Sequence, residues 1–215
     1  MPKDGSNAAI MTVELPSATV RADLASLTQG RIMHGLAGLM TAGAEVTFRS
    51  LAEASGVPER TLYRYYPSKD ALLAAFWIWL NDRLGMPPPP RSPAELVTSI
   101  ATIFSAFASG EPLIRAMLHD PHGRATRLAH AEARRQRLYT ALAPVLAPLE
   151  TSARKRLIAS VQALISAAGW ETMRDYAGLT SEETANAAQW AVAALIAAAE
   201  QGARSPAGKR KRKKA

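Results

Sequence analysis

Residues 47–69, T-F-R-S-L-A-E-A-S-G-V-P-E-R-T-L-Y-R-Y-Y-P-S-K, decide how the rest of the chain is read. They fit two short helices joined by a sharp turn. Thr47 is a good N-cap and opens a first helix that ends near Ser55. Phe48, Leu51 and Ala52 fall at i, i+3 and i+4, the spacing of a buried stripe. Ala52 is small where two helices cross. Gly56 stands where the turn needs a backbone free to take positive φ, and Val57 fills the angle. Pro58 opens the second helix, where the N–H it lacks would have had no partner. That helix reaches Tyr66, with Leu62 and Tyr66 turned inward. Glu59, Arg60, Thr61, Tyr63, Arg64 and Tyr65 are left for solvent or a groove. Arginine pairs bidentately with guanine, and threonine and tyrosine reach phosphate or a thymine methyl, so this set has the chemistry of a major-groove reader. Pro67 ends the helix. Ser68 caps the next one, whose first residue, Lys69, stands where phosphate would pass.

The chain has 215 residues, 48% of them apolar, enough for a small and a larger globular domain. It has no cysteine, which excludes disulfides and thiolate chemistry. No apolar run is long enough to span a bilayer, and the N-terminus lacks a basic-then-apolar signal pattern. The formal charge is +8, but seven basic residues and no acid lie between Arg204 and Lys214. The remainder holds 19 basic against 18 acidic residues, so the body is near neutral and net charge alone does not point to nucleic acid.

Taken in order, residues 1–22 read as a disordered arm in which Arg21 is a solvated arginine. Residues 23–68 read as a helix-turn-helix domain, 69–203 as a helical body, and 204–215 as a basic disordered tail. Helix 1 is expected to begin near Leu24–Thr28 and end at Gly43, with Ile32, Leu36, Leu39 and Met40 as its stripe. Gly30, Gly35 and Gly38 are placed for close crossing against the helix that starts at Lys69. That helix, to about Leu84, carries Leu72, Leu73, Phe76, Trp77 and Leu80. Residues 86–93, M-P-P-P-P-R-S-P, read as a stiff spacer. Further helices are expected at Pro93–Ser109, Pro112–His119, Pro121–Leu146, Thr151–Tyr176 and from Thr180 or Ser181 to Ala203. No strand alternation occurs. The fold class is all-α, with about nine helices: a three-helix head and a larger bundle. The Ala-rich faces of the last two long helices suit a homodimer.

Other constellations are weaker. His119, His122 and His130 lack a supporting Cys or Glu cluster and read as solvated rather than metal-binding. Gly-x-Ser-x-Gly, a phosphate loop and a dinucleotide fingerprint are absent, so no catalytic set, cofactor or metal is expected. Trp77, Phe104, Phe107, Met117, Trp170 and Met173 are large or soft groups on several body helices. They are the candidate lining of an effector pocket. With few charges at inward positions, an apolar or aromatic ligand is expected. The tail K-R-K-R-K-K, Lys209–Lys214, would add non-specific phosphate affinity.

The run G-V-P-E-R-T-L-Y-R-Y-Y-P-S-K-D-A-L-L, Gly56–Leu73, resembles the signature of the TetR family of transcriptional regulators. R-I-M-H-G-L-A-G-L-M-T-A-G, Arg31–Gly43, resembles that family's first helix. The resemblance implies a cytoplasmic, nucleoid-associated homodimer that represses at a palindromic operator and is released by a small ligand, which moves the helix starting at Lys69. It places Thr47 and Arg49 at phosphate-touching positions. Thr61, Tyr63 and Tyr65 fall at base- or backbone-touching positions, and Lys69 matches a phosphate-touching lysine. Pro58, Glu59, Arg60 and Arg64 complete the candidate face, although Arg60 takes a place often held by a small residue. The alternatives are a ligand-independent nucleoid or structural DNA-binding protein, and an interaction protein with a degenerate head.

Overall fold

The computed structural model describes residues 18–204, with side chains from 22 to 202. Most of the expected arm, the side chain of Arg21 and the tail Lys209–Lys214 lie outside the described residues. Twelve helices and no strand occur among the described residues. They are α1 Ala18–Thr41, α2 Phe48–Ser55, α3 Glu59–Tyr65, α4 Lys69–Arg83, α5 Pro93–Ser109 and α6 Glu111–His119. There follow α7 Pro121–Ala129, α8 Ala131–Ala141, α9 Ala143–Leu146, α10 Thr151–Leu164, α11 Ala167–Asp175 and α12 Ser181–Arg204.

The head forms as its sequence dictates. Thr47 and Ser50 make a reciprocal cap at the start of α2, and Gly56 closes it in the left-handed region at φ 63°. Behind this turn lies one core in which Ile32, Leu36, Leu51, Leu62 and Phe76 are fully buried, and Val57 and Tyr66 nearly so. α1 begins at Ala18, ahead of the expected Leu24, so its first turns occupy part of what reads as an arm. The close crossing is also elsewhere than expected. A Cβ on Gly35 would sit 3.0 Å from the backbone N and Cβ of Ser55, whereas Gly30 and Gly38 face open space. Gly35 therefore brings α1 onto α2, not onto α4. Arg31 locks the crossing: its Nη2 donates to Gly56 O at 2.8 Å and its Nε to Ser55 O at 3.2 Å. These are carbonyls the end of α2 leaves unpaired.

The head core runs past Lys69, because Leu72, Leu73, Phe76 and Leu80 of α4 belong to it, together with Met117 of α6. The body core is separate and is built from α5, α8, α10, α11 and α12 around Ile100, Phe104, Leu142, Val161, Trp170 and Val192. Two long expected helices are broken. Residues 121–146 divide at His130 and Leu142 into α7, α8 and α9, and 151–176 divides at Ile165–Ser166, where Ser166 caps α11. The caps were legible; the breaks were not, because no Gly or Pro marks His130 or Ile165. No single helix among the described residues is long and apolar enough to cross a membrane. α5 and α6 reach that composition only as a pair bent by 90°.

Two substitutions test this packing. Gly35→Val should destabilise the head by about 1–3 kcal/mol through overpacking, and Leu62→Ala by about 2–5 kcal/mol through a cavity. Both are read as lowered urea midpoints in circular dichroism.

Candidate nucleic-acid interface and the cavity behind it

The candidate interface is the outer surface of α2 and α3. Thr47 Oγ1 accepts from Ser50 N and Ser50 Oγ from Thr47 N, both at 3.0 Å, which fixes the first turn of α2 and the exposed Arg49 beside it. Pro58 is the N-cap of α3 rather than its first residue, and its carbonyl accepts from Thr61 N and Leu62 N. Buried Leu62 and Tyr66 hold α3 from behind, so Glu59, Arg60 and Arg64 face solvent while Thr61 and Tyr65 are half-exposed. Tyr63 is 48% exposed, and its ring is stacked on Phe48 with centroids 4.2 Å apart and planes at 20°. Phe48, expected in the core, packs against it and also supports a ring of the candidate face. Arg64 lies over the Tyr65 ring, its Cζ 5.7 Å from the centroid. Burial, then the neighbouring Tyr65, raises the proton affinity of the Tyr66 phenol, as suits a core tyrosine.

Lys69 is placed differently from the rest. Its ammonium donates to Val46 O at 2.6 Å and to His122 Nε2 at 2.8 Å. An ammonium can only donate, so that ring nitrogen carries no hydrogen. In this conformation the expected phosphate contact is spent on joining the head to α7.

α7 and α8 hold α4 at a second place. Trp77 stacks on His130 with centroids 5.3 Å apart, and the Arg134 guanidinium lies 5.6 Å from the same indole. Here a cavity of about 330 Å³ opens between α4, α5, α6, α7, α8, α10, α11 and residues 84–90. Of the six expected pocket residues, Trp77, Phe107 and Met117 line it. Phe104 and Trp170 are instead sealed in the body core, and Met173 packs against that core away from the cavity. Trp170 is occupied from outside by Arg115 and Arg174, each with Cζ 5.6 Å from its ring. Arg115 also ties α6 to α11 through Glu171 and a bidentate pair with Asp175. The expected spacer is part of the wall, since Pro87 to Pro90 line the cavity.

The sequence missed the charged part of this lining: Arg127, His130, Arg134 and Arg137. A signal existed, because Arg127, His130 and Arg134 are spaced three and four apart. The three histidines read as solvated diverge to separate partners: His119 to Glu171, His122 to Lys69 and His130 to Trp77.

Residues 39–76, from the end of α1 into α4, match the family model described as bacterial regulatory proteins, tetR family. No curated protein matches the chain.

Burial, then the charges of Arg134 and Arg137, lowers the proton affinity of His130 below that of a free imidazole. The unfolded chain therefore takes up this proton first as pH falls. Its contribution to stability is full above about pH 6.5 and is lost below it. Melting temperatures across roughly pH 5 to 7.5 should fall less steeply for His130→Phe, which keeps the stack on Trp77, than for the parent. Parallel slopes would refute the assignment.

Proposed function

We infer that this chain, whose head belongs to the tetR family of bacterial regulatory proteins, is a DNA-binding transcriptional regulator that represses at a palindromic operator and releases it on binding a small effector. The observation that carries the DNA reading is the division of α3. Leu62 and Tyr66 are buried, while Arg60, Tyr63 and Arg64 are offered to solvent from a helix held from behind by those two residues. Arg49 on α2 adds phosphate affinity, and Thr47 orients that helix. The working form is a cytoplasmic homodimer. On α12 the indole of Trp190 is 75% exposed, and Ala193, Ala194 and Ala197 continue an exposed small-residue face. Ala159 and Ala163 are exposed on α10. Paired across a two-fold axis, such faces make a four-helix bundle and set two heads about 34 Å apart, one turn of duplex.

The cavity supports an effector-responsive regulator over a ligand-independent nucleoid protein, since its volume of about 330 Å³ falls in the range of small-molecule sites. It borders α4, the helix that also carries Lys69 and the head core. Ligand there changes how α7 and α8 grip Trp77 and Lys69, and so changes the spacing of the heads.

Selection of bound sequences from a random DNA pool should return a palindrome. On that site Arg60→Ala and Tyr63→Ala should each weaken binding by about 1–3 kcal/mol, read as a retarded-complex titration. Wild-type affinity in both variants would remove α3 as the reading helix. Trp190→Glu should convert dimer to monomer in sedimentation equilibrium. A dimer unchanged by it would place the interface elsewhere.

A further inference from the structure

The cavity beside α4 is lined by three arginines and a histidine and by no Asp or Glu. Two of those arginines hold hydrogen-bond donors without partners. Arg127 Nη2 donates to Leu118 O at 2.9 Å and Arg134 Nη2 to Arg127 O at 2.8 Å, which leaves Arg127 Nε and Arg134 Nη1 buried and unmatched. Burial lowers the proton affinity of both guanidiniums, and for Arg134 the charge of Arg127 adds to this. Glu171, whose charge reaches Arg127, is itself paired with Arg115 and His119. The rest of the lining is mostly apolar, with Leu84, Leu96, Ile103, Phe107 and Met117, and is polar only at Asn81, Gln162 and Ser166. Unmatched buried donors are costly, and buried cations more so, unless an acceptor of opposite charge arrives.

We propose that the cavity binds an amphipathic carboxylate, its charge held at the wall formed by Arg127, Arg134 and Arg137 and its hydrocarbon or aryl body lying among Ile103, Phe107 and Met117. The expected neutral apolar ligand is thereby replaced by an anionic one. Three guanidiniums with no acid beside them in the lining suit a carboxylate, and the largely apolar remainder of the wall suits a hydrocarbon body rather than a polyhydroxylated one. The inference deepens the effector-responsive reading only in naming the ligand class, because binding itself is measured on the full chain without DNA.

The test compares decanoate with 1-decanol, and 4-phenylbutyrate with 4-phenylbutanol, by calorimetry and by quenching of the Trp77 indole at the cavity wall. At least one acid should bind roughly tenfold or more tighter than its alcohol. Arg127→Gln with Arg134→Gln should abolish that preference while leaving the affinity for the alcohol within about twofold. Acid and alcohol bound equally by the parent chain, or neither acid bound, overturns the proposal without recourse to a variant that may fold poorly. Operator binding that persists in saturating acid would refute release while leaving the ligand class standing.

Discussion

α4 has to serve the head core and the cavity wall at once, and the arrangement of the molecule follows from that constraint. Leu72, Leu73 and Phe76 pack into the head, while Trp77 and Asn81 border the cavity, and Leu80 serves both. Its N-terminal residue, Lys69, is pinned to the head by Val46 O and to α7 by His122. A helix of 15 residues is a stiff rod about 22 Å long. On the proposed function, a change of wall at its cavity end would be passed along this rod to the head. Because the head core includes Met117 of α6, the head is seated on the body rather than tethered to it.

The parts of this structure that were legible in the sequence are those specified locally. Thr47, Gly56, Ser68 and Thr180 announce helix ends through hydrogen bonds or backbone conformations available within a few residues, and each acts as expected. The buried stripe Ile32–Leu36–Met40 and the inward pair Leu62 and Tyr66 follow from the helical period. The breaks at His130, Leu142 and Ile165 were hidden because they are made by tertiary packing. His130 and Ile165 read equally well inside one long helix, and only Pro144, just past Leu142, offered a local mark. The partner of Gly35 was hidden for the same reason: a glycine marks a close approach but does not say to what. Trp170 and Phe104 were assigned to the cavity on size, yet size is equally what fills a core.

The inward arginines were the largest misreading, and its cause is physical. Charged side chains default to solvent, so an Arg-rich helix reads as a solvated face. Arg127, His130 and Arg134 instead line the cavity together, with His130 stacked on Trp77 and the Arg134 guanidinium over the same indole. Burying two like charges beside each other costs stability that hydrophobic side chains of similar volume would not cost. Arg134 holds Trp77, and the two arginines tie the carbonyls of Leu118 and Arg127, yet no acid in the lining offsets their charge. An anionic ligand would supply that offset.

The energetics of coupling then close on one helix. α7 carries His122 near its start and Arg127 near its end, nine residues in all. A carboxylate drawn to Arg127 and Arg134 acts on the same short rod that holds Lys69. Allosteric couplings are typically about 1–3 kcal/mol, and a hydrogen bond from a charged donor is worth about 1.5–3 kcal/mol. On the proposed function, the loss or gain of the Lys69–His122 contact would be of that size, and the ammonium it would free stands at the start of the helix that follows α3.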